Sequence, residues 1–163
     1  MSKHGHDAAA HKEMKHHYVM FAVNMALSLI VMYVAMFSMI DGWNDFRNNT
    51  NTLYMALTMV APMGIIMLAT MAGMYAHRTL NIALYAILLV LFVAAFMGTR
   101  TQALIGDDQF IASMIPHHSG AILMCREAQL TDEELVRLCG QIERAQRDEI
   151  KQMEAIAARL RGG

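Results

Sequence analysis

Residues 18–40 read YVMFAVNMALSLIVMYVAMFSMI, 23 positions without one charged side chain. About 20 apolar residues, rising about 1.5 Å each, cross the hydrocarbon core of a bilayer, so this stretch is long enough to be a membrane helix. It is too long for the apolar part of a cleavable leader, and no small-x-small site follows it, which predicts a retained first span. Asp41-Gly42-Trp43 closes it with a turn glycine and a tryptophan suited to the membrane interface.

Two more stretches of the same kind follow, at about residues 52–76 and 79–97. The link between them, His77-Arg78, is so short that these helices are expected to be an antiparallel pair. Pro62 and Gly64 in the second span are tolerable where neighbouring helices satisfy the freed backbone groups. Composition agrees: of 163 residues 56% are apolar and only 17% charged, where a soluble domain carries about a quarter charged. The net charge of −1 is segregated, with most charges beyond residue 125. That balance excludes a nucleic-acid binder of the basic-patch kind. Lys3, Lys12, Lys15 and Arg78 fall on one side of the three spans, and Arg47 and Arg100 on the other. The excess predicts a cytoplasmic N-terminus and a periplasmic C-terminal part, in the inner membrane of a bacterium.

Beyond a linker at 98–106, the period changes to that of amphipathic helices. Asp107 or Asp108 is the expected cap of a helix running to about Leu130. Thr131-Asp132-Glu133-Glu134 reads as a capping box opening another that runs to about Leu160. The expectation is an all-α chain with a tail at 1–17, three membrane helices within 18–97, and an extramembrane antiparallel two-helix hairpin at 107–163. Leu135, Leu138, Cys139, Ile142, Met153, Ile156 and Leu160 share one face of the last helix. Two helices cannot enclose a core, so the hairpin is expected to complete a bundle with another copy, as a homo-oligomer, or on a partner in a larger membrane complex.

Gln146 and Glu149 interrupt that apolar face near its centre. A carboxylate there is costly unless it is paired, hydrogen-bonded or bound to a metal. On the preceding helix Met114, His117 and His118 stand at i, i+3 and i+4, the spacing that gathers side chains on one surface. Folding the chain about residues 130–131 brings them near Gln146, Glu149 and Met153. Thioethers favour Cu(I) and imidazoles accept copper, zinc, nickel or iron, so copper is the metal this set suits best. The same residues also read as ordinary helix packing, for which methionine is a common filler. Pro116 adds a kink beside the histidines.

The stretch Asp108-Gln109-Phe110-Ile111 through Met114-Ile115-Pro116-His117-His118, with Ala121-Ile122, Met124, Leu138, Ile142, Ala145-Gln146, Glu149-Ile150 and Met153, resembles the DUF305 family. The resemblance covers about residues 105–160. It implies a ferritin-like helical domain of the kind found mostly in exported bacterial proteins, some of them associated with copper. It also implies that Met114, His117, His118, Met124, Met153 and Glu149 touch metal, with Gln146 as ligand or support. Cys125 and Cys139 depart from the family, which has small residues there. Three roles stay open for them: a disulfide, additional metal ligands, or inert buried thiols. The three membrane spans lie outside the resemblance.

Methionine is abundant throughout, 17 residues in all. Met55, Met59, Met63, Met67 and Met71 recur every fourth residue in the second span. At about 100° per residue this stripe drifts across almost half the helix, broader than a pore seam. Packing between helices and against lipid is the plainer reading. Copper transporters of the Ctr type, with three spans and Met-x-x-x-Met in the second, supply the alternative of a Cu(I) transporter. The tail holds His4, His6, His11, His16 and His17, which could bind metal loosely or meet anionic headgroups. No Ser-His-Asp arrangement, phosphate loop or dinucleotide fingerprint is present, so no enzyme activity is expected.

Overall fold

The computed structural model describes residues 3–162, with side chains from Met14 onward. Among these residues every regular element is helical. The elements are α1 (Lys3–Ala35), α2 (Thr50–Thr70), α3 (Arg78–Thr101), α4 (Asp107–Glu127) and α5 (Glu133–Arg161), with two short 3-10 turns at Met36–Met39 and Trp43–Asp45. Three segments, Met14–Met39, Thr50–Thr70 and Arg78–Thr101, are long and apolar enough to cross a membrane. The chain divides into two compact units, one formed by residues 1–33 and 54–101, the other by 34–53 and 102–163.

The first unit packs α1, α2 and α3 around Phe21, Leu68, Tyr75 and Leu88, with Tyr18, Met25 and Tyr85 against them. Gly64 makes the close approach possible, because a Cβ there would lie 2.9 Å from the Met25 sulfur and 3.1 Å from Leu88 Cδ1. Pro62 sits inside α2 without ending it. The link to α3 is longer than expected. α2 stops at Thr70, and residues 71–77 turn the chain before Arg78 opens α3. A polar knot fixes this turn: the Tyr18 hydroxyl donates to Asn81 Oδ1 at 2.7 Å, and Asn81 Nδ2 donates to the Tyr75 carbonyl at 2.6 Å. Of the second-span methionines, Met55, Met59 and Met71 are exposed, whereas Met63 and Met67 are half-buried. The stripe therefore wraps the helix, as its four-residue spacing requires.

In the second unit α4 and α5 pack along their length. Their core is Ile111, Ile115, Ile122 and Ile150, with Met153 and Ala157 against it. Ile115 and Ile122 are each 1% exposed, and each contributes about 1.5–3 kcal/mol by leaving water. Both helix starts differ from the expected ones. The N-cap of α4 is Gly106, and Asp107 and Asp108 occupy the first turn, where their charge favours the helix N-terminus without a capping hydrogen bond. The cap of α5 is Asp132 rather than Thr131; its Oδ1 accepts from the Leu135 backbone N–H at 2.8 Å. α4 ends at Glu127, three residues before the expected turn.

Residues 34–40 end the first span as expected, but with 41–53, expected merely to turn at the membrane surface, they belong to the unit built on α4 and α5. Phe37 is buried, its ring tilted against that of Phe46 with the centroids 4.4 Å apart. Asn49 caps α2 by accepting from the Thr52 N–H at 2.8 Å, and Gln109 Oε1 of α4 accepts from both the N–H and the hydroxyl of Thr50. Arg47 pairs with Glu154 of α5 at 3.2 Å.

Candidate functional site

α4 presents His117 and His118 in its middle turn, just after Pro116, and α5 presents Glu149 opposite. His118 is buried, 9% exposed, and has contacts at both ring nitrogens. Nδ1 lies 2.8 Å from the carbonyl oxygen of Met114, one turn earlier, and Nε2 lies 2.8 Å from Glu149 Oε2. Since a carbonyl only accepts, the first contact places a proton on Nδ1. Nε2 then carries either a second proton, which the carboxylate attracts, or a lone pair, which a cation shared with the carboxylate would accept. The Gln146 amide donates to the same Glu149 oxygen at 3.4 Å. The His117 ring is 6.2 Å from that of His118, nearly perpendicular to it, and exposed.

The expected carboxylate is thus in place, but it is not buried: the Glu149 side chain keeps half of its surface in solvent. On the apolar face of α5, Leu135, Leu138, Ile156 and Leu160 are exposed as well, whereas Ile142 and Met153 are half-buried. Of the thioethers, Met153 packs on the isoleucine core, Met124 is 59% exposed, and Met114 is half-buried and reaches His118 through its backbone. Cys125 and Cys139 form a disulfide with their Cα atoms 5.2 Å apart. Of the three roles left open, the bridge is the one observed, and it leaves no thiolate to act as an additional ligand. Among the described residues no three His, Cys, Asp or Glu side chains are grouped so as to hold a metal ion. In the tail, His16 and His17 have rings 6.3 Å apart, whereas the side chains of His4, His6 and His11 lie outside the described residues.

Sequence reasoning missed the clamp on the other side of His118. Ser119, fully buried, donates its hydroxyl proton to Asp45 Oδ2 at 2.6 Å and accepts from the Asp41 backbone N–H at 2.7 Å. At Gly120 a Cβ would stand 3.2 Å from the Met39 carbonyl oxygen, so the loop lies directly on the helix. The Asp41 carboxylate pairs with Arg126, and Arg147 Nη1 is 3.7 Å away. The hydrogen bond from Arg126 to Glu127, with the charges of Asp41, Glu127 and Glu143, outweighs desolvation and holds that guanidinium above its ordinary pKa. The available signals were the small pair Ser119-Gly120 behind two histidines and two acids in a short loop. Neither specifies a contact without the fold.

Residues 97–157 match the family model described as "Domain of unknown function (DUF305)". A protein of Acanthamoeba polyphaga mimivirus, "Uncharacterized protein L153", is 32% identical over 114 residues, which cover 69% of this chain and 73% of the viral one. The chain belongs to the DUF305 family. Its likeness to the viral relative runs over more residues than the DUF305 match itself, so the similarity is not confined to that segment. No solved structure matches the chain. In this DUF305 protein the matched segment takes in the end of α3, all of α4 and most of α5, and with them His117, His118, Gln146 and Glu149.

Proposed function

We propose that this protein binds copper at the surface of a membrane, through His117, His118 and Glu149 of an antiparallel α4/α5 hairpin with a ferritin-like arrangement, and so sequesters or delivers the metal. The observation that carries this reading is the His118 contact pair: one ring nitrogen is tied to the Met114 carbonyl, and the other points at the Glu149 carboxylate, 2.8 Å away. Fixing one imidazole nitrogen by a backbone carbonyl is how proteins orient a metal-ligating histidine. His118 and Glu149 would hold the ion and His117, on the exposed side, would join them. Imidazole and carboxylate donors suit Cu(II) better than Cu(I), which favours thioethers. Copper(II) is also the divalent ion such donors bind most tightly across the first transition row.

The disulfide supports a location outside reducing cytosol for this part of the chain, in line with an inside N-terminus and three crossings of a bacterial inner membrane. A reporter active only in the periplasm, fused after Gly163, should be active; activity only of a cytoplasmic reporter would contradict that placement. Metal analysis of the detergent-purified chain, after copper loading and dialysis, tests the site. Wild type should retain copper and His117→Ala/His118→Ala should lose most of it. Equal copper in the two would overturn the reading.

A further inference from the structure

The two ends of the apolar stripe of α5 are exposed and arranged as a palindrome. Leu135, Leu138, Ile156 and Leu160 are 39–48% exposed. At about 100° per residue they fall within about 60° of one another around the helix. Leu135 and Leu160 share with Leu138 and Ile156 a midpoint at Arg147, to within half a residue. Charge follows the same plan: Glu133 and Glu134 occupy the first turn of α5, and Arg159 and Arg161 the last. Each set favours its own end of the helix dipole. Yet Glu134 and Arg159 form no ion pair among the described residues.

We infer that α5 pairs antiparallel with α5 of a second copy of this chain about a two-fold axis at the level of Arg147 along the helix. An isologous interface requires that when one residue meets another, the reverse contact also exists, and the palindrome meets this condition. Leu135 of each copy lies against Leu160 of the other, Leu138 against Ile156, and Glu134 within reach of Arg159, twice over. A lipid surface would match the leucines but not the acidic end, which anionic headgroups repel. The pairing also sets the two Glu149 side chains near the axis. If the metal reading above holds, two imidazole–carboxylate contacts then face one centre, supplying donors that a single chain lacks.

The test uses the full chain in detergent with a chelator present, so that it is independent of metal. A benzophenone amino acid placed at Leu138 should cross-link the second copy at residues around Ile156, and one placed at Ile156 should cross-link around Leu138, both mapped by mass spectrometry of the dimer band. Cross-links from Leu138 to the Leu138 region, or no dimer band, would overturn the inference. Glu134→Arg and Arg159→Glu should each lower the cross-link yield several-fold, and the double variant should restore it. If the charges served only the dipole of their own helix, the double variant would be the worst of the three. Intact cross-links in a protein that holds no copper would count against the metal reading alone.

Discussion

Ser119 is the residue on which the geometry of the candidate site turns. Its hydroxyl makes two hydrogen bonds in a fully buried position, and it directly follows His118. Ser119→Ala leaves the Asp45 carboxylate and the Asp41 N–H without this partner, at a cost of about 1–3 kcal/mol. Thermal unfolding in detergent should show it as a clear loss, and copper retention should fall too, because the loop no longer holds α4. Gly120→Val drives a branched side chain toward the Met39 carbonyl and should cost more than Gly120→Ala, whose one methyl needs only a small shift. At this scale the sequence was only partly legible. The spacing of Met114, His117 and His118 singled out the turn of α4 that meets Glu149, since helical periodicity is local. The contacts of Ser119 with Asp41 and Asp45 join positions more than 70 residues apart, and no local rule announces them.

Among the elements, α4 and α5 are held by three kinds of force. The isoleucine core gives burial without direction, the Asp132 cap fixes where α5 starts, and the disulfide closes a 14-residue separation. A loop of that size contributes about 3 kcal/mol by restricting the unfolded chain. Cys125→Ala/Cys139→Ala should therefore lower stability by about that amount, read as a lower unfolding midpoint that reducing agent no longer changes. Asp132→Ala should cost about 1 kcal/mol by removing the cap. The helices themselves were legible from hydrophobic period and length. Their ends were not, because Gly106, Asp107 and Asp108 all suit a helix start, and only the backbone shows which residue leaves the helix. Glu149 was expected in an apolar, buried face. That face exists, but α4 covers it in part: Met153 packs on the isoleucine core, whereas Leu135, Leu138, Ile156 and Leu160 are exposed and the carboxylate keeps half its side chain in solvent.

At the scale of the whole molecule, three helices fit to cross a membrane accompany a helical DUF305 segment that holds the imidazole–carboxylate contact of His118 and Glu149. The spans were legible because charge-free runs of this length have few other readings. Their methionines, numerous as they are, mark no single channel-like seam, since several face outward and others pack on neighbours. The measurement that bears most directly on the account is electron paramagnetic resonance of Cu(II) added to the purified chain, compared with His118→Ala. The wild-type spectrum should show nitrogen coupling from bound imidazole, and the variant should lose that coupling together with most of the bound copper. An unchanged spectrum and unchanged copper content in His118→Ala would contradict the claim that His118 and Glu149 form the heart of the site.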